Sequence, residues 1–197
     1  VLNEYIHRSN AAAATTWVSV YGDMGLKPTY VKAAFEYAYD ELKKQNVQNK
    51  VTLFYNDYDT YFSVDDELAL ISYINEGEEA KICGGIGMQS HVDIKRPTLE
   101  EYGNALKAFI NAGLEVQITE LDITINFDTD DTDGRTPTYA YKNEKETDAD
   151  QAAFTKDFIK QIVDIQKNRD KTISPKGITG ITVWGISDQT SWRGSCK

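Results

Sequence analysis

The sequence predicts an α/β fold, a parallel sheet covered by helices, on three observations. Strand-like and helix-like segments alternate along the 197 residues. The strand-like segments read as apolar on both faces, as strands buried beneath helices do. Clusters of polar residues stand at the carboxyl ends of five of those segments.

The chain opens on Val1-Leu2-Asn3-Glu4, which reads as the end of a strand. It has neither a Met nor a charged-then-apolar leader there, so the start is expected to be internal to a longer precursor. From Pro28 to Lys44, Val31, Ala34, Phe35, Ala38, Tyr39 and Leu42 recur at helical spacing, and Pro28 suits a first helical turn. Val51 to Tyr55 follows as a short buried strand that runs into Asn56-Asp57-Tyr58-Asp59. Helical spacing returns from Asp65 to Glu76, with Leu68, Ile71 and Ile74 on one stripe and Gly77 as the stop. A glycine-rich strand, Lys81 to Met88, comes next.

Thr98-Leu99-Glu100-Glu101 is a capping box, opening a helix through Ala112 that Gly113 ends. Glu115 to Thr119 then reads as a strand leading into Glu120. An acidic insertion at about residues 127–148 breaks the rhythm, without the Glu that would close an EF-hand calcium loop. Asp148, with Gln151 three residues on, is expected to cap a helix that turns Phe154, Phe158, Ile162 and Ile165 inward. Ile178 to Trp184 is the last strand.

Two architectures suit this order, a doubly wound sheet and a (β/α)8 barrel. The doubly wound sheet binds phosphates at a glycine-rich turn opening a helix, whereas Gly84, Gly85 and Gly87 lie inside the strand. The polar clusters favour the barrel. Asn3-Glu4, Asn56-Asp57-Tyr58, Gln89-Ser90-His91, Glu120-Leu121-Asp122 and Trp184 each end a strand, which is where a barrel assembles its site. The chain is therefore expected to be a partial (β/α)8 domain over residues 1–197.

Composition removes several function classes. A net charge of −10 speaks against nucleic acid, because phosphate contacts need clustered Lys and Arg. No apolar run is long enough to span a bilayer, so no membrane role is expected. Cys83 and Cys196 are far apart and lack metal-ligand spacing; they could pair or stay free. Neither a metal nor a cofactor is expected.

Two carboxylic acids suffice to hydrolyse a glycosidic bond. One protonates the leaving oxygen while the other attacks the anomeric carbon, with retention when they stand about 5–5.5 Å apart. Glu4 and Glu120, distant in sequence and both at the same predicted rim, suit that pair. Five motifs accompany them: Val1-Leu-Asn-Glu4, Leu53-Phe-Tyr-Asn-Asp-Tyr58, Gly85-Ile-Gly-Met-Gln-Ser-His91, Ile118-Thr-Glu-Leu-Asp-Ile123 and Thr182-Val-Trp-Gly-Ile-Ser-Asp-Gln-Thr-Ser-Trp-Arg193. In order and spacing these resemble the second half of glycoside hydrolase family 10 endo-β-1,4-xylanases.

The resemblance implies a TIM barrel of which this chain supplies about the last five strands. It implies Glu4 as general acid/base and Glu120 as nucleophile, with Asn3 on the 2-hydroxyl of the sugar being cleaved. His91 would lie beside the nucleophile with Asp122 fixing its orientation, and Gln89 would add a polar contact near both carboxylates. Tyr58 and Asn56 would form a wall on the leaving-group side, and Trp184 and Trp192 would enclose the sugar at the cleavage point. The substrate implied is xylan or a xylo-oligosaccharide; related mannanases and endoglucanases share the mechanism. Such a polymer cannot enter cells, so secretion is expected.

Tyr5 after the acid/base and Asp59, where Asn is common, depart from the family pattern, and His7 has no evident partner. By the family pattern, three strands are expected to precede Val1 and a final helix to follow Trp192. An amino-terminal part of the barrel, from the same precursor or a second chain, is the expected partner; a non-catalytic fragment is the alternative.

Overall fold

A computed structural model of the chain describes residues 2–7, 18–125, 146–187 and 191–192. In chain order its elements are β1 (Leu2–Asn3), α1 (Ser19–Tyr21), α2 (Thr29–Lys44), β2 (Phe54–Asp57), α3 (Val64–Asn75), β3 (Gly85–Met88), β4 (His91–Asp93), α4 (Leu99–Asn111), β5 (Glu115–Thr124), α5 (Asp148–Asn168) and β6 (Ile178–Val183). The strands pair in parallel in the order β1, β2, β3, β5, β6, and β4 pairs with the far half of β5. This is an arc of parallel strands joined by helical crossovers, so every strand's carboxyl end lies at one rim.

The helices begin and end for local reasons. Thr98 accepts from the Glu101 N–H and Glu101 reaches back to the Thr98 N–H, so the predicted capping box opens α4. Gly77 and Gly113 follow the ends of α3 and α4 with φ of 79° and 75°, where a residue with a Cβ would be strained. Pro28 stands at the N-cap of α2 rather than in its first turn. The cap of α5 differs from expectation: Thr147 and Asp150 form the capping box, one residue before Asp148 and Gln151. Gln151 instead donates to the Ile123 carbonyl at 2.6 Å, tying α5 to β5.

Strand limits shift where side chains compete for the backbone. Residues 81–84 leave the predicted strand because the Asn75 amide accepts from Cys83 N at 2.9 Å and donates to Cys83 O at 3.0 Å. The ladder therefore starts at Gly85, opposite Phe54, and β2 starts three residues later and ends two residues later than predicted. β5 continues through Glu120 to Thr124 instead of stopping at Thr119, and β4 was not predicted.

The expectation of strands apolar on both faces is also corrected. Tyr55, Ile86, Met88, Val116 and Ile118 are buried against Phe35, Leu70, Tyr102, Phe109 and Phe158 of the helices. Full burial of each such side chain contributes about 1.5–3 kcal/mol. The opposite face carries Phe54, Asn56, Glu115, Gln117 and Thr119, all part-exposed. Helices cover one face of the arc only, and polar groups on the other face meet one another instead.

Cys83 lies in the core with its thiol pushed up to about 12 by burial, which makes it unreactive; Cys196 lies outside the described residues. The acidic insertion lies outside them as well, except for residues 146–148. Among the described residues no helix is long and apolar enough to cross a membrane, and no cluster of potential metal ligands occurs.

Candidate active site

Glu4 directly follows the edge strand β1, and its N–H continues the ladder to the Asn56 carbonyl at 2.9 Å. Its φ is 61°, a left-handed conformation that costs a non-glycine residue about 1–3 kcal/mol. Groups beyond it hold it there. Tyr5 is buried and its hydroxyl donates to the Gly25 carbonyl at 2.8 Å. Ile6 N donates to the Tyr55 hydroxyl at 2.9 Å and to the Asp57 carboxylate at 3.1 Å.

Glu120 is placed by an irregularity in β5. Met88 pairs with Ile118 and His91 with Asp122, so Thr119, Glu120 and Leu121 face only Gln89 and Ser90. On the other side Ile118 pairs with Ile181 and Leu121 with Val183, leaving an extra residue there too. A bulge of this kind re-aims a side chain and increases local twist. Ser90, with φ of 64°, supplies the kink on the facing strand.

Between the two carboxylates runs a continuous set of hydrogen bonds. Asn3 Nδ2 and Gln89 Nε2 both donate to Glu4 Oε1 at 2.7 Å. Asn3 Oδ1 accepts from Asn56 Nδ2 at 2.7 Å and from Gln89 Nε2 at 3.2 Å. Asn56 Nδ2 also reaches Glu120 Oε1 at 3.3 Å, and Thr119 Oγ1 donates to Asn56 Oδ1 at 2.7 Å. Asn56 lies across β3 only because residue 87 is glycine: a Cβ there would stand 2.2 Å from Asn56 Oδ1.

The far side of Glu120 is held by His91, whose Nε2 lies 3.3 Å from Glu120 Oε2. His91 Nδ1 donates to Asp122 Oδ2 at 3.0 Å, which fixes the ring. Trp192 Nε1 donates to the same oxygen at 2.8 Å and meets His91 edge-on with centroids 4.9 Å apart. Trp192 is 56% exposed, and its apolar faces are open to a ligand. Trp184 follows β6, bonded to Leu121 O through its own N–H at 2.9 Å; its indole is 47% exposed and is not part of the core.

One partnership was invisible in the sequence. His7 Nδ1 donates to Asp57 Oδ1 at 2.8 Å, and its ring stacks on Tyr58 at 3.8 Å between centroids and 24° between planes. His7 and Asp57 are 50 residues apart in the sequence, so no local pattern announces the pair. Asp57 is fully buried and is also bonded by Tyr58 N and by the Tyr55 hydroxyl. Beneath it Glu67 is buried too, and burial, then the Asp57 charge, push its carboxyl up to about 9. Tyr55 is raised as well, by burial first and then by the charges of Asp57 and Glu67, so it remains a donor.

The family model for glycosyl hydrolase family 10 matches residues 1–197. The chain belongs to that family. Endo-1,4-beta-xylanase A of Butyrivibrio fibrisolvens is 41% identical over 192 residues, covering 98% of this chain and 39% of that protein. Among solved structures, a family 10 endoxylanase retrieved from a sugarcane soil metagenome superposes with a TM-score of 0.68 at 23% identity, over 96% of this chain and 50% of its own. A mutant structure in complex with xylotriose matches with a TM-score of 0.60 at 27% identity, over 90% of this chain and 47% of its own. The family 10 chain thus spans about half the length of the proteins it matches, and its arc corresponds to part of a (β/α)8 barrel.

Proposed function

We propose that this chain carries the catalytic rim of a retaining endo-β-1,4-xylanase, with Glu4 as acid/base and Glu120 as nucleophile. The observation that carries the reading is the hydrogen-bonded bridge through Asn3, Asn56 and Gln89, which joins carboxylates 116 residues apart at one rim. The xylanase names of its relatives and a neighbour's xylotriose complex support xylose units as the sugar.

In the first step a Glu120 oxygen attacks the anomeric carbon, the bond to the leaving oxygen breaks, and Glu4 gives that oxygen its proton. Two amide donors occupy Glu4 Oε1, which suits Oε2 to carrying the proton. Asn56 and His91 orient Glu120 from two sides and leave it little rotational freedom. In the second step water gives a proton to Glu4 and attacks the same carbon, and the Glu120 ester bond breaks with net retention. Trp192, held at Asp122, presents a flat apolar face to the pyranose ring, and the half-exposed Trp184 is proposed to close the same subsite. The active barrel is proposed to include further strands beyond the five of this arc, and to act on polymer outside the cell.

Proton NMR of a fresh digest of xylan by the full polypeptide that carries this chain is expected to show the β-anomer forming first. Glu120→Ala is expected to lower kcat by at least about a thousandfold. An α-anomer first, or a variant that keeps most of its rate, overturns the assignment. Mannan and soluble cellulose run beside xylan decide the sugar.

A further inference from the structure

We propose that His7 is a positioning residue for the leaving-group side of the cleft, acting through the ring of Tyr58. This rests on the xylanase reading above and on the leaving-group wall that the family resemblance implies for Tyr58.

The geometry has three layers. The lowest is Asp57, whose carboxylate is fully buried and bonded to two backbone N–H groups, those of Ile6 and Tyr58. Next is the His7 ring, about three-quarters buried, with Nδ1 donating to Asp57 Oδ1 at 2.8 Å. That bond fixes both the position and the rotation of the imidazole. Third is the Tyr58 ring, lying on the imidazole 3.8 Å away and nearly parallel to it. The tilt of the phenol plane is thus set by a ring that a buried anion pins.

The consequence is specific to sugar binding. A pyranose stacks on an aromatic face only where that face stands at the right tilt, and ordering an adaptable side chain on binding weakens it by about three- to tenfold. A ring already backed by a second, pinned ring avoids most of that cost. Asp57 also joins this wall to the acid/base segment, because Ile6 stands two residues after Glu4 and shares its carboxylate. Leaving-group wall and proton donor therefore rest on one anchor, and His7 is the part of it that touches the wall.

The test compares two substrates on the same preparation of the full polypeptide. One is xylopentaose, whose cleavage places xylose units on the leaving-group side. The other is β-xylobiosyl fluoride, whose fluoride leaving group is too small to use a stacking platform. The ratio of their kcat/KM values cancels any loss of folded protein. In His7→Ala this ratio is expected to fall about three- to tenfold. In His7→Phe, which keeps a ring against Tyr58 but loses the Asp57 bond that pins it, the ratio is expected to fall less than in His7→Ala and to stay below that of the parent. An unchanged ratio in His7→Ala, with both substrates still turned over, overturns this role alone. Failure of the unsubstituted polypeptide to turn over either substrate overturns the xylanase reading and this role with it.

Discussion

Glu67 shows how a buried acid beneath the site makes the fold sensitive to pH. Its carboxyl lies in the core, Ser63 donates to Oε1 at 3.3 Å, and Oε2 has no hydrogen-bond partner. Asp57 and Asp66 face it with negative charge and Tyr55 with a neutral hydroxyl, so burial and repulsion both favour the protonated form. Between its ordinary value of 4.5 and about 9 the folded protein binds this proton more tightly than the unfolded chain does. Stability from this group is therefore lost as pH rises through that window and is level below and above it. Glu67→Gln, which cannot ionise, is expected to flatten the fall in urea midpoint between pH 5 and pH 9. An equal fall in both proteins would show that Glu67 is not the group responsible. At this scale the sequence revealed residues through motif order: Asn3, Glu4, Asn56, Gln89, His91, Glu120, Asp122 and Trp192 share one hydrogen-bonded network. His7 and Glu67 stayed hidden because each draws its meaning from Asp57, a contact made only when β2, β1 and α3 pack.

At the scale of elements, the decisive features are ladder irregularities rather than strand positions. Helices were legible because capping boxes, glycine stops and apolar spacing are local; the shift from Asp148 to Thr147 arose where two overlapping cap patterns competed. The bulge at Thr119–Leu121 is a property of pairing between strands, so nothing in residues 115–124 read alone could announce it. The same holds for Gly87, which reads in sequence as a weak strand residue and in the fold as the gap through which Asn56 reaches toward Asn3 and Glu120. Gly87→Ala would put a methyl 2.2 Å from Asn56 Oδ1 and 3.0 Å from Thr119 Cγ2, on a residue whose own φ is ordinary. The side chain of Asn56 must then swing away, and both amide bonds to Asn3 and Glu120 go with it. We expect kcat to fall about ten- to a hundredfold with little change in thermal midpoint, since the displaced group is polar and part-exposed. A large loss of stability with kcat of the surviving protein unchanged would place the strain in the fold instead.

At the scale of the molecule, alternation and rim clusters made the barrel arc legible, whereas an open arc's stability is a question of edges. Among the described residues β1 and β6 each have a strand neighbour on one side only. β6 exposes Ile181, Val183 and, just beyond it, Trp184 and Ile186, an apolar edge of the kind that a neighbouring strand or layer covers. Glu4 depends on the other edge, where β1 contributes only Leu2 and Asn3 to the ladder with Tyr55 and Asn56. Glu120, by contrast, stands inside the arc with paired strands on both sides. A fraying edge thus moves Glu4, the proposed acid/base, first and Glu120, the proposed nucleophile, last, and a displacement of about 1 Å costs about a hundredfold in rate. We expect residues 1–197 alone to cleave xylan at least about a hundredfold more slowly than a polypeptide, or a mixture of two, that supplies strands for both edges. The step that suffers should be the one needing a proton donor: xylopentaose turnover should fall much further than that of β-xylobiosyl fluoride, whose leaving group needs no proton. If the isolated chain matches the completed barrel on both substrates, β1 holds Glu4 without a neighbour and the arc is sufficient by itself.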